Sequence, residues 1–159
     1  MLDVETTGLD AIRHSIVELC AARIAIDGKG AVVAIECIRV GLRHPGQPLS
    51  EAIREISGLN DEDLAGQSID PDDLMSFLDT GAAVVAFNTG FDRPFVEGIA
   101  PEASPLRWGC PMHHIPWRAL GFEPGSQGYL LCQSGWHRDN RCCWCPRTAV
   151  MRGGCVTVG

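Results

Sequence analysis

Residues 3–8, DVETTG, place two carboxylates, Asp3 and Glu5, on alternate positions of an apolar stretch and follow them with Thr6, Thr7 and Gly8. On a strand, side chains at i and i+2 point to one face about 6.6 Å apart, so Asp3 and Glu5 converge while Leu2 and Val4 point to the other face. Two carboxylates on one face call for a cation between them. Hard oxygen ligands suit Mg²⁺ or Mn²⁺, ions that keep several waters and bridge to substrate phosphates. The hydroxyls and flexible backbone of Thr6-Thr7-Gly8 then lie at the strand's end, where a substrate can approach closely. Alone, an Asp-x-Glu pair is a weak signal that many chains of this size carry by chance.

Working outward, SIVELCAARIAI (15–26) and AVVAIECIRV (31–40) are rich in β-branched residues and are joined by Asp27-Gly28-Lys29-Gly30, a hairpin turn signal. The spacing predicts three strands with an antiparallel ribbon. Ser50 caps a helix over 51–57 that ends at Gly58, Asn60 caps a short one over DEDL, and Asp70-Pro71 opens a third with Leu74, Phe77 and Leu78 on one face. A buried strand is expected at 82–87 (AAVVAF), then a helix capped by Thr89 and carrying Asp92, Phe95 and Val96, then a last strand at 106–110. Strands with helices packed on them indicate a mixed α/β layer fold.

Within VVAFNTGFDRPF (84–95), Asn88 and Asp92 follow the buried strand and enter the first turn of a helix, whose N-terminus favours anions. A third carboxylate is therefore available to Asp3 and Glu5. The competing reading of Asp92 is a first-turn acid that stabilises its own helix or pairs with Arg93 at the surface.

Composition bounds these readings. The chain has 159 residues, 45% hydrophobic and 21% charged, enough for one globular core. No apolar run approaches the ~20 residues that span a bilayer, and the start lacks the layout of a signal peptide, so a cytoplasmic protein with no membrane partner is expected. Eight cysteines fall short of a disulfide scaffold, and reduced thiols follow. The formal charge is −7 but uneven: residues 1–99 hold 7 Lys/Arg and 17 Asp/Glu, while residues 100–159 hold 6 Arg and 3 acids. An acidic body argues against holding nucleic acid by a basic surface alone. Bound cations should mediate any contact with a polyanion.

Together, the two segments resemble the DEDD family of 3′-to-5′ exonucleases. D-x-E-T-T-G-L followed by a hydrophobic ribbon is that family's first motif, N-x-x-F-D is its second, and EAIREISGLNDEDLAGQ (51–67) is similar to the stretch between them. The resemblance covers residues 1–138. It implies a ribonuclease-H-like fold, a mixed sheet with antiparallel first three strands and flanking helices. It further implies two divalent ions, Mg²⁺ or Mn²⁺, held by Asp3, Glu5 and Asp92, with Thr6, Gly8, Leu9 and Asn88 at the pocket for the 3′-terminal nucleotide. The implied reaction is hydrolysis of terminal phosphodiester bonds of single-stranded DNA or RNA, releasing nucleoside monophosphates, and the implied partners are such 3′ ends and a polymerase. Trp108 and Trp117 are candidates for stacking bases, with packing the stronger expectation for both.

The third motif departs from the family pattern. Members end with H-x-A-x-x-D on a last helix, the His as general base and the Asp as fourth metal ligand. Here His137-Arg138 matches the start, but the position five beyond His137 is Cys142, and no acid follows Asp139. Codons for Asp139–Cys142, read one base later, permit an acid at the missing place. Residues 139–159 thus read as an irregular tail out of frame, behind an exonuclease domain at 1–138 whose final helix is incomplete. Two alternatives follow from the same tail. One is an exonuclease-fold domain with impaired catalysis. The other is a zinc-binding interaction module built on Cys142-x-x-Cys145 with Cys132, His137 or Cys155, for which the spacing supplies half a signature.

Overall fold

The computed structural model describes residues 1–125, 127, 129 and 130. His137, the tail at 139–159 and the cysteines of the zinc alternative lie outside the described residues.

Strand β1 (Leu2–Thr6) pairs antiparallel with β2 (Ile16–Ile26), which pairs antiparallel with β3 (Val32–Leu42). The β2–β3 turn forms where the sequence asks for it. The Asp27 carboxylate accepts from the Lys29 and Ala31 amides at 2.8 and 2.9 Å, and Gly30 takes φ +86°. Three helices follow. In α1 (Glu51–Ser57) the Ser50 hydroxyl accepts from the Ile53 amide at 3.4 Å, and Gly58 closes the helix at φ +65°. In α2 (Asp61–Leu64) the Asp63 carboxylate accepts from the Asn60 amide at 2.8 Å, and in α3 (Pro71–Leu78) Asp70 accepts from the amides of Asp72 and Asp73.

Strand β4 (Val84–Val85) pairs in parallel with β5 (Trp108–Gly109), and between them runs α4 (Thr89–Ile99). A single parallel bridge from Leu2 to Ala86 joins β4 to β1. The strand order is therefore β3-β2-β1-β4-β5, with β1 in the middle. Because β1, β4 and β5 run the same way, their C-terminal ends share one edge. A short helix, α5 (Pro111–His114), starts just beyond β5.

The pleat divides the side chains as alternation requires. Leu2, Val4, Leu19 and Ala21 pack with Leu74, Phe77 and Leu78 of α3 and Phe95 and Val96 of α4 to form the main core. Two smaller clusters complete the interior, one of Val17, Leu49, Leu59 and Leu64 beside α1 and α2, and one of Cys20 and Ala22 with Ile24, Ile35 and Val40. Trp108 donates its indole N–H to the Ala103 carbonyl at 3.1 Å, with Arg93 over its ring. Trp117 donates to Pro111 at 2.9 Å and meets Phe122 edge-on. Both tryptophans pack within the fold, the stronger of the two expectations. No described helix is long and apolar enough to cross a membrane.

Candidate active site

Asp3 and Glu5 stand on the middle strand of the sheet, on the face opposite the main core. Directly across on β2 are Cys20 and Glu18, so the same face carries a further acid, Glu18, only 4% exposed. Asp3 also lines a small cavity with Cys20, Ala22, Phe87 and Gln127. The β1–β2 register shifts between Glu5 and Thr6, leaving Val17 of β2 as an extra residue, and pairing resumes at Thr6 with Ile16.

That loop is tightly tied. The Thr6 hydroxyl donates to the Gly8 carbonyl at 2.7 Å, and Thr7 exchanges backbone and hydroxyl bonds with Ser15 at 2.9 and 3.0 Å. The His14 ring sits against Gly8 so closely that a Cβ there would lie 2.6 Å from its atoms, so any larger residue at this position displaces the ring. Thr7 Oγ1 and His14 Nδ1 are 3.3 Å apart. Leu9, by contrast, projects into solvent at 87% exposure, as does Ile12 at 95%.

Asp92 arrives from α4. It is 3% exposed, and the Val4 amide of β1 donates to its carboxylate. Burial first, and then the charge of Asp3, push its pKa up to about 7, against the pull of the Val4 amide and its own; Glu5 adds a further upward push. The surface-pair reading of Asp92 is thereby excluded. Arg93 pairs instead with Glu97 at 2.6 Å and donates to Ser104. Asn88 is the N-cap residue of α4, one position before the expected Thr89. Its carbonyl accepts from Phe91 and Asp92 at 2.8 and 3.1 Å.

Three of the expected site residues, Asp3, Glu5 and Asp92, therefore act on one another electrostatically, while Thr6, Gly8 and Leu9 occupy the loop leaving β1 and Asn88 heads α4. Among the described residues no group of three or more His, Cys, Asp or Glu side chains stands close enough together to hold a metal ion. By the chemistry of its donors the set Asp3, Glu5 and Asp92 suits a hard divalent ion, being all-oxygen and acidic, with Asp92 pushed toward neutrality by burial first and the Asp3 charge second. Two residues of this region escaped the sequence reading. Glu18 had a signal, being the only acid within the apolar run 15–26. His14 had none, because its contact with Gly8 is set by the loop's closure.

Comparison with known proteins agrees with this geometry. The sequence model of the RNase T exonuclease family matches residues 1–99. The PolC-type DNA polymerase III of Streptococcus suis is 32% identical over 100 residues, and that of Halalkalibacterium halodurans is 34% identical over 98, each match covering 60% of this chain. The chain spans about 6% of the length of these relatives. Among solved structures, Exonuclease X in complex with 5′ overhanging duplex DNA superposes with a TM-score of 0.57 at 25% identity, covering 84% of this chain and 70% of that one. E. coli Exonuclease I in complex with a 5cy-dA13 oligonucleotide shares the fold, with a TM-score of 0.63 at 15% identity over 88% of this chain and 36% of that one. With the first and second motifs folded onto neighbouring elements and the family match spanning both, the chain belongs to the RNase T exonuclease family, of the DEDD type.

Proposed function

We propose that this chain is a divalent-metal-dependent 3′-to-5′ exonuclease domain that hydrolyses terminal phosphodiester bonds of single-stranded nucleic acid and releases nucleoside monophosphates. The observation that carries the proposal is the buried Asp92 carboxylate, in the first turn of α4, held in the field of Asp3 and Glu5. Three acids from two elements, one buried and two half-buried, are costly side by side without positive charge and well matched to Mg²⁺ or Mn²⁺. In this reading Asp3, Glu5 and Asp92 hold two ions, which when bound supply an activated water and stabilise the leaving 3′ oxygen.

The chain's own residues do the rest. The loop from Thr6 to Leu9 receives the terminal nucleotide: the Thr6–Gly8 hydrogen bond keeps its backbone in one shape, and the exposed Leu9 offers an apolar surface to a base or sugar. Asn88 faces the substrate from the head of α4, and His137 accepts a proton from the attacking water. The Exonuclease X and Exonuclease I structures, in complex with 5′ overhanging duplex DNA and with a DNA oligonucleotide, and the PolC-type polymerase relatives support DNA ends as substrate and a polymerase as partner. We place this domain at residues 1–138, the reach of the family resemblance along the sequence.

A second reading rests on one sequence observation. Cys142 stands where the family's fourth carboxylate belongs, so one ion is weakly held and turnover falls by orders of magnitude, since paired ions act as a unit. One experiment separates the two: degradation of a 5′-labelled single-stranded DNA oligonucleotide in Mg²⁺ and in Mn²⁺ by this chain and its Asp3→Ala variant. Stepwise shortening from the 3′ end that vanishes in the variant is the expected result. No shortening by folded protein in either metal leaves the impaired domain.

A further inference from the structure

The segment that carries Asp92 to the site is thinly held. The β4–β5 ladder is two residues long, and β4 meets β1 through one bridge. Helix α4 is also weak at its own start. The Asn88 side chain makes no cap hydrogen bond, and Pro94 lacks the amide that would bond the Gly90 carbonyl. Backbone bonds from the Phe91 and Asp92 amides to the Asn88 carbonyl close the first turn, and a side chain anchors it to the sheet: the hydroxyl of Thr89, a residue only 9% exposed, lies 3.1 Å from the Ala86 carbonyl and 2.7 Å from the Gly109 carbonyl. One O–H thus ties the start of α4 to the ends of both β4 and β5. The same knot is closed from the other side, where the Met112 amide donates to the Phe87 carbonyl at 3.0 Å and Ala86 donates to Gly109 at 3.2 Å. Asp92 is three residues beyond Thr89, on the same side of the helix, and both are buried.

From this arrangement we infer that Thr89 is a positioning residue for the metal site: its hydroxyl clamps the N-terminus of α4 across β4 and β5 and thereby sets where the Asp92 carboxylate meets Asp3 and Glu5. This rests on the metal-dependent reading above. The Thr89 hydroxyl is spent on the Ala86 and Gly109 carbonyls, and its effect passes through Asp92. Supporting groups one step behind metal ligands change metal affinity by roughly 10–100-fold when removed.

The test is Mn²⁺ binding to the metal-free full chain, followed by the paramagnetic resonance signal of free Mn²⁺ well below the melting transition. Thr89→Val, which keeps the shape and removes the hydroxyl, is expected to weaken Mn²⁺ binding by about 10-fold or more, and Thr89→Ser to restore it to within about threefold. Thr89→Ala carries the same expectation as Thr89→Val and serves if the valine variant does not fold. Asp70→Ala, which removes a cap remote from the site, controls for stability alone: it lowers the melting temperature and leaves Mn²⁺ affinity unchanged. Parental affinity in Thr89→Val, or equal losses in Thr89→Val and Thr89→Ser, overturns the inference while the metal reading stands. A parent chain that binds no Mn²⁺ overturns both.

Discussion

Replacing Asp92 by Asn should stabilise the metal-free protein at alkaline pH, although it removes a residue central to the site. Asp92 is 3% exposed, and burial with the Asp3 charge raises its pKa from 3.8 to about 7. A raised carboxyl pKa means that the folded state holds a proton which the unfolded state has released. The stability this group contributes is therefore complete below about pH 4 and is lost as pH rises through about 7. A difference of about three units corresponds to about 4 kcal/mol, an upper figure because Asp3 and Glu5 titrate together with Asp92. Asn in its place keeps a carbonyl to accept from the Val4 amide and presents an N–H₂ to the neighbouring acids, with no charge to bury. Urea unfolding in excess chelator at pH 4, 6 and 8 measures the effect. The variant and parent should be nearly equal at pH 4, and the variant should be more stable by about 2–4 kcal/mol at pH 8. A gap that does not grow with pH, or a variant less stable than the parent at pH 8, refutes the burial argument. Adding Mg²⁺ should stabilise the parent by mass action and leave the variant where it was.

Three further outcomes are expected. Gly8→Ala forces a Cβ to within 2.6 Å of the His14 ring and should cost about 1–3 kcal/mol in thermal unfolding and raise KM for an oligonucleotide, with Gly8→Ala/His14→Ala recovering much of the loss; no recovery means that the contact is not the cause. Leu64→Ala empties a fully buried position among Val17, Leu49 and Leu59 and should cost about 2–5 kcal/mol in urea, so a loss under about 1 kcal/mol contradicts the packing described. With Asp92 in the proposed ligand set, Mg²⁺ binding displaces its proton. Affinity by titration calorimetry should strengthen with pH up to about 7 and then level, whereas pH-independent affinity between pH 5 and 7 would remove Asp92 from the ligand set.

The readable parts of this fold are those that local chemistry decides. Asp27-Gly28-Lys29-Gly30 makes its turn with its own side chain and backbone, and Ser50, Gly58 and Asp70 end or begin helices through bonds within four residues. The apolar run at 82–87 reads as a six-residue strand, yet only Val84 and Val85 pair as one, with Ala86 in a lone bridge. Strand length here is set by how much of β5 is available, and β5 is two residues long. Thr89 makes the same point. As a residue type it caps helices well, but the carbonyls of Ala86 and Gly109 take its hydroxyl and Asn88 occupies the cap position. Gly109 is 20 residues away, so no local pattern announces the exchange. Within the candidate site, alternation puts Asp3 and Glu5 on one face and the buried run puts Asp92 in a first helical turn, but each signal is weak alone and only the two spaced motifs together single the three out. Burial of Glu18 opposite Glu5 is a property of the register, which the pattern of β2 alone does not fix.

The acidic balance of the chain and the proposed action on a polyanion are compatible for a physical reason visible at Asp92. A basic groove would hold phosphate whether or not the site were ready for chemistry. In the proposed site a buried carboxylate and two half-buried ones would repel phosphate until divalent cations arrive, so affinity for substrate and competence to act would become one event. The burial that lifts Asp92 to about pH 7 is the local measure of that arrangement: it destabilises the empty site at neutral pH and is relieved when positive charge enters. Asp92 must then be held against its own repulsion from Asp3. Val4's amide supplies one restraint and the Thr89 clamp the other, which is why the two-residue β4–β5 ladder is bridged by a buried hydroxyl at the point where α4 begins.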